Sequence, residues 1–318
     1  NFSYLCPKKV VKALYVCSPG RLITSAFFIA YSNFSASFED IAKISEPQNI
    51  IKVLQYVFLG ILQGFTEPIP ISSSGHLLIA KKLFDFKMLS DMNFEIVVNF
   101  GSFLAIVFLY RKEIIKIISH FFGYLKTKKN EYKENYKYAW LIVIGTIPAG
   151  LFGIIFKDKI DLLSNNVKLV GIALLITALA LFLIKDFKGK KDKKDLSVMD
   201  AITVGLFQVV ALFPGISRSG STVVGAMTRD FKRSTAVNYS FMLYLPISMA
   251  TMALGVKDLI NTSNIGELVM PYTLGMIASC IVTYFSAKWF INIMKKGKLG
   301  YFALYCLIVG ILVILFVK

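Results

Sequence analysis

Histidine is almost missing from this chain: 318 residues contain two, His76 and His120. Cysteine is scarce as well. Cys6 and Cys17 lie in the N-terminal stretch, and Cys280 and Cys306 lie inside apolar runs. There is no CxxC and no Cys/His cluster at zinc spacing, which excludes a disulfide framework and a structural zinc site. Charge is also low. Charged residues make up 17% of the chain, where a soluble domain has about 25%. Acidic residues are the scarcer kind, 19 against 36 Lys and Arg, for a net charge of +17. In a soluble protein that excess would suggest nucleic acid. Here the lysines fall between apolar runs, so they read as cytoplasmic loops, and no nucleic-acid partner is expected.

What fills the chain is apolar. Hydrophobic residues make up 56% and the mean hydropathy is +0.64. The runs are long as well as frequent, which predicts an all-α polytopic membrane protein. Six segments read as full spans: about 94–110, 138–156, 168–184, 236–256, 268–289 and 299–317. Two more, about 51–81 and 200–228, are apolar but interrupted. Pro68, Pro70 and consecutive serines break the first, and "FPGISRSGS" (213–221) breaks the second. Non-helical backbone at membrane depth survives only inside protein or a wet cavity. Both segments are therefore expected as re-entrant helix–loop–helix pairs. Residues 1–48 form an unassigned N-terminal extension, and 49–318 a single membrane domain. Within the extension, basic residues precede the short apolar run "LITSAFFIAY", which resembles a signal sequence or an anchor.

Loop charge gives the topology. Residues 111–137 hold eight Lys/Arg, 185–195 six lysines, "RDFKR" (229–233) three basic residues and "KKGK" (295–298) three more. If 51–81 enters and leaves on the outside and 200–228 on the inside, all four basic loops are cytoplasmic. Both ends of the membrane domain then face outward. The interrupted segments also match each other. "GILQGFTEPIPISSSG" (60–75) and "GLFQVVALFPGISRSG" (205–220) share Gly-x-x-Gln, then Pro, then Ser-x-Ser-Gly. Each Gly is followed 18 residues later by an Asn-aromatic pair, Asn93-Phe94 and Asn238-Tyr239. The predicted fold is an inverted repeat, about 50–156 and 200–289, whose broken helices meet near the midplane.

The breaks hold the reactive side chains. Gln63 and Glu67 are four residues apart and share a helix face; Pro70 is expected to end that helix. Ser72, Ser73 and Ser74 follow at the start of the next, where capping leaves backbone N–H groups to bind an anion. Ser73 and His76 are expected to point the same way. In the second copy Arg218 sits among Ser217, Ser219, Ser221 and Thr222. Gly215 and Gly220 are expected to let backbone approach a ligand. A guanidinium suits phosphate, and at membrane depth Arg218 needs a partner, Glu67 or an anionic ligand. Structural readings compete: His76 as a capped histidine, Glu67 as a mere partner for Arg218, serines bonded to backbone. On the same footing Asn93, Asn99 and Asn238 knit helices, and His120 is solvated in a basic loop.

At these residues the sequence resembles the bacterial undecaprenyl-pyrophosphate phosphatase family, the bacitracin-resistance proteins. One family motif reads Gln63-Gly64-Phe65-Thr66-Glu67, with a Pro-x-Ser-Ser-x-Gly-His run at Pro70–His76; the other reads Pro214 to Thr222. The match covers about residues 50–318. The resemblance implies an inner-membrane enzyme that hydrolyses undecaprenyl pyrophosphate, with its site open to the outer face. Expected catalytic residues are Glu67, Ser73, His76 and Arg218. Gln63, Ser72, Ser74, Ser217, Ser219 and Thr222 are expected to bind substrate. The implied cofactor is a divalent cation, Mg²⁺ or Ca²⁺, with Glu67 the one candidate ligand, since Gln63 stands at the other motif position. Expected partners are the polyprenyl pyrophosphate, membrane lipids and, as assembly, a homodimer.

The mechanism stays open at this level. Either Ser73 attacks with His76 as base, or His76 acts as nucleophile or acid and water completes the reaction. An inverted repeat equally suits a flippase for the phosphorylated lipid. A lipid phosphatase of the phosphatidic-acid type would need a histidine after Ser217-Arg218, and none follows.

Overall fold

The computed structural model describes residues 47–84, 92–163, 166–260 and 265–317. Residues 1–46 of the expected extension lie outside them. Lys52–Lys318 form one compact unit. Its helices are α1 (Pro47–Thr66), α2 (Ser73–Leu83), α3 (Met92–Thr127), α4 (Asn130–Ile155), α5 (Lys157–Leu163) and α6 (Val167–Ile184). After a short 3₁₀ turn come α7 (Val198–Val210), α8 (Arg218–Thr228), α9 (Arg233–Ile260), α10 (Ile265–Lys295) and α11 (Gly300–Phe316). Among the described residues extended pairing is limited to one bridge, Lys191 to Phe231.

Five described helices, α3, α4, α6, α9 and α10, are long and apolar enough to cross a membrane. The sixth expected span is α11, a shorter helix of 17 residues, or about 26 Å at 1.5 Å per residue. These helices keep large apolar side chains on their outer faces, such as Leu179, Phe182 and Leu183 on α6 and Leu304, Ile308 and Leu315 on α11. Lipid accepts such faces, so burial alone does not drive helices together, and small residues and hydroxyls take over. A side chain at Gly60, Gly64 or Gly101 would run into the α10 backbone. Beside them Ser102 bonds Ser279 and Thr283 at 2.9 Å each.

Segment 111–137 is not a loop. α3 runs on to Thr127 and α4 starts at Asn130. Apolar and aromatic residues stay at helical spacing through the basic stretch; Phe121 stacks on Tyr136, centroids 5.2 Å apart, and Tyr124 packs tilted against it at 4.6 Å. His120 lies inside this helical hairpin. It is half-buried, takes a hydrogen bond from Asn135 at 3.0 Å and meets Tyr132 edge-on.

Each interrupted segment is a hairpin of two helices joined at the break. In the second, Asp200 in the first turn of α7 pairs with Arg229, just past α8, at 2.6 Å. In the first, Phe58 of α1 meets Phe84, just past α2, with centroids 5.6 Å apart. The open ends lie at different levels of α3. Lys81 of α2 pairs with Glu95 in the first turn of α3 at 2.7 Å. Lys191, which faces Asp200, precedes Lys193, which pairs with Glu113 further along α3. Glu95 and Glu113 are 18 residues apart, about 27 Å on a helix. The open ends of the two hairpins thus lie at different levels of α3, while Ser219 at one break donates to the Ile69 carbonyl at the other.

Candidate active site

α1 stops at Thr66, four residues before Pro70. Pro68 has no N–H to give the Gly64 carbonyl, and Ser286 of α10 donates its hydroxyl to that carbonyl instead, at 2.7 Å. Glu67 still donates its own N–H to Gln63 at 2.9 Å, so its side chain keeps the helical direction. The chain turns through 67–71, and Ser72 caps α2 with φ 71°, accepting from Gly75 at 3.3 Å. Ser217 caps α8 the same way, accepting from Gly220 at 3.1 Å.

The caps aim matched positions at one carboxylate. Ser73 and Arg218 each follow their capping serine. Arg218 Nη2 donates to Glu67 Oε1 at 2.5 Å. Ser73 donates to Glu67 Oε2, which also accepts from Gln63 Nε2 at 3.1 Å. The side chains of Glu67 and Arg218 are 11% and 18% exposed, so the pair is largely desolvated and neither charge is stable there without the other. The Arg218 guanidinium lies over the ring of Tyr244, 4.0 Å from its centroid. Tyr244 donates to Asn99 at 2.7 Å, and Ser248 does so at 3.2 Å. The second guanidinium nitrogen, Nη1, is buried and has no hydrogen-bond partner among the described residues.

His76 faces elsewhere. Its Nδ1 lies 2.8 Å from the Ser72 carbonyl, and its Nε2 lies 2.7 Å from the Tyr305 hydroxyl on α11. A carbonyl only accepts, so Nδ1 carries the proton, and Nε2 of a neutral ring accepts from Tyr305. The rings are stacked, 5.6 Å apart. Ser72 and Tyr305 therefore orient the imidazole.

The remaining expected residues divide by how their hydroxyls are used. Ser72 and Ser217 are caps. Ser219 donates to the Ile69 carbonyl at 2.9 Å, which ties one tip to the other. Thr222 is fully buried, donates to the Arg218 carbonyl at 2.9 Å and meets Ser240 at 2.6 Å. These four build the site, while Ser74 is exposed beside it. Gly215 and Gly220 serve packing: a Cβ on Gly215, at φ +90°, would be 2.7 Å from Val170 Cα, and one on Gly220 3.3 Å from Pro70. Of the asparagines, Asn238 accepts from Tyr110 at 2.8 Å and does knit helices, whereas Asn99 supports Tyr244 under Arg218. Tyr244 and Tyr305 were not singled out from sequence. Both come from distant spans with no local motif, and only their polar tips, in an apolar run, hinted at a role.

The donor set was tested for the divalent cation that the resemblance implies. Glu67 is its one carboxylate, and both oxygens are engaged, one by a guanidinium. Among the described residues no group of three or more His, Cys, Asp or Glu could hold a metal ion. These residues do not form a cation site by themselves, and no step below is routed through one.

A helical membrane protein in which two broken hairpins join a carboxylate, a hydroxyl and a guanidinium inside the apolar layer belongs to the class with a buried polar site for a charged group. More narrowly, the chain belongs to the family described as bacitracin resistance protein BacA, which its residues 56–312 match. Similar proteins include undecaprenyl-diphosphatase 1 of Bacillus cereus, 47% identical over 83% of this chain and 97% of the relative. Undecaprenyl-diphosphatase 1 of Bacillus licheniformis is 42% identical over 84% and 99%. Its namesake in Halalkalibacterium halodurans is 39% identical over 84% and 97%.

Proposed function

We propose that this chain is an undecaprenyl-diphosphatase. It hydrolyses undecaprenyl pyrophosphate to undecaprenyl phosphate and inorganic phosphate, which recycles the lipid carrier for cell-wall synthesis and confers bacitracin resistance. It works in the bacterial inner membrane, with re-entrant hairpins and a site open to the outer side. The observation behind this reading is the meeting of Glu67, Ser73 and Arg218 at the hairpin tips. A pyrophosphate head on an apolar tail needs such a place: charge inside, lipid outside. Phosphoryl transfer is chiefly a matter of positioning and charge stabilisation.

Arg218 turns from Glu67 to the pyrophosphate, and its unpartnered Nη1 gains a phosphate oxygen. Glu67 already accepts from the Ser73 hydroxyl and is placed to take its proton. Ser73 Oγ attacks the terminal phosphorus, its proton passes to Glu67, and the bond to undecaprenyl phosphate breaks. Water then cleaves the phosphoserine and releases phosphate. His76 and Tyr305 form a proton-carrying pair beside the break. Rapid quenching with labelled substrate is expected to trap phosphate on Ser73, while label on His76 would make the imidazole the nucleophile. Phosphate release with and without a chelator tests the divalent cation.

A second reading, movement of the phosphorylated lipid across the membrane, rests on the two hairpins opening at different levels of α3. Phosphate release from purified protein in detergent separates the two. A transporter needs no nucleophile, so Ser73→Ala would then leave lipid movement intact.

A further inference from the structure

At the basic end of the bundle a cleft of about 240 Å³ is lined by Lys188, Gly189, Lys232, Arg233, Ser234 and Lys295. Its walls come from three places: the segment after α6, the turn into α9 with that helix's first residues, and the last turn of α10. Backbone bonds join two of the walls. Lys190 and Lys191 donate to the Asp230 carbonyl at 2.9 Å each, and Lys232 donates to Lys191 at 3.0 Å. Arg233 is fixed across the cleft. Its Nη2 donates to the Lys185 carbonyl at 2.7 Å, its Nη1 lies where Gly297 leaves room, and its Nε is buried with no partner among the described residues. The lining holds four cations and no carboxylate. Asp192 answers one of them, pairing with Lys232 at 2.6 Å.

We propose that this cleft is an anion site for a phosphate group, separate from the hairpin tips. Four cations around one concavity repel each other unless an anion sits among them, and charge-assisted hydrogen bonds from lysine and arginine suit a phosphate. The volume is below the roughly 300–1,000 Å³ of sites for drug-sized ligands, so it suits a phosphate or a phosphodiester head rather than a nucleotide. The site is not the catalytic one: α8 has 11 residues, so Arg218 and the cleft are at least about 15 Å apart along it. Two sources supply this chemistry, the head of an anionic phospholipid and free inorganic phosphate. Basic pockets between spanning helices take such lipid heads.

The test uses the whole chain. In detergent, equilibrium dialysis measures bound radiolabelled phosphate. In nanodiscs of phosphatidylglycerol or phosphatidylcholine, native mass spectrometry counts retained lipid. Arg218→Ala, which removes the guanidinium at the hairpin tips, is expected to keep the anion bound in the cleft. Lys188→Gln with Lys295→Gln, both exposed residues, lowers that affinity roughly tenfold or more while phosphate release from substrate is unchanged. Lys232→Gln gives a second, independent loss. Retention of phosphatidylglycerol without binding of phosphate assigns the lipid head; phosphate binding that phosphatidylglycerol does not displace assigns the free ion. Unchanged binding in these variants, or complete loss in Arg218→Ala, overturns the proposal.

Discussion

Glu67 and Arg218 are each placed by a different hairpin, and each needs the other. Removing one side of a buried ion pair costs about 3–5 kcal/mol, because the remaining charge is stranded. Glu67→Ala and Arg218→Ala are each expected to lower thermal stability by about that amount, and the double variant by less than their sum; additive losses would show that the pair is not coupled. Arg218→Lys keeps the charge but loses the planar fork and the stacking on Tyr244. Its phosphate release is expected to fall about 100-fold or more, with a smaller loss of stability than Arg218→Ala. Tyr305→Phe removes one hydroxyl, at a position 40% exposed, and hardly touches packing. A roughly tenfold or greater fall in kcat with unchanged KM and melting temperature is the expected signature of a positioning residue for His76; an unchanged kcat would remove Tyr305 from that role.

At the scale of elements, the second hairpin is closed at its base by a wholly buried carboxylate. Asp200 pairs with Arg229 at 2.6 Å and with Lys191 at 3.4 Å, and it completes a capping box with Ser197. Asp200→Ala should therefore lower stability by about 2–4 kcal/mol, read as a fall in melting temperature. Arg229→Ala should cost a comparable amount, since it leaves the buried carboxylate with Lys191 at 3.4 Å as its remaining charged partner. Much of this was legible in the sequence. Pro68, Pro70 and "FPGISRSGS" mark the breaks because proline withdraws a backbone donor, and the serines at 72–74 announce a cap because a short hydroxyl can reach an N–H two or three residues on. Lysines between apolar runs gave the basic end. Two things were not legible. The helical state of 111–137 depends on ring stacking between α3 and α4, which charge counting does not see. The rotamer of His76 depends on Tyr305, some 229 residues away, and helical spacing alone put it beside Ser73.

For the whole molecule, the four basic segments converge. Glu113 and Asn135 hold Lys193, and Lys188, Lys232, Arg233 and Lys295 share one cleft. Single cysteines at Lys128 and Lys298 should accordingly react with a membrane-impermeant maleimide only from the cytoplasmic side, and one at Ser74 only from the outside. Labelling of the Ser74→Cys variant from the cytoplasmic side alone would overturn a site open to the outside. The pairing of the tips also has a consequence for how the chain is made. Glu67 and Arg218 are 151 residues apart. At about 5–20 residues per second, some 8–30 s separate their synthesis. Through that interval the glutamate has no guanidinium to neutralise it, so the first hairpin cannot settle in the apolar layer as a charged unit. It is expected to wait at the interface and to take its final seat only after the second hairpin arrives. In pulse-labelled membranes, the first hairpin should gain protease protection after the second has emerged, late in an order that the sequence of synthesis alone would reverse.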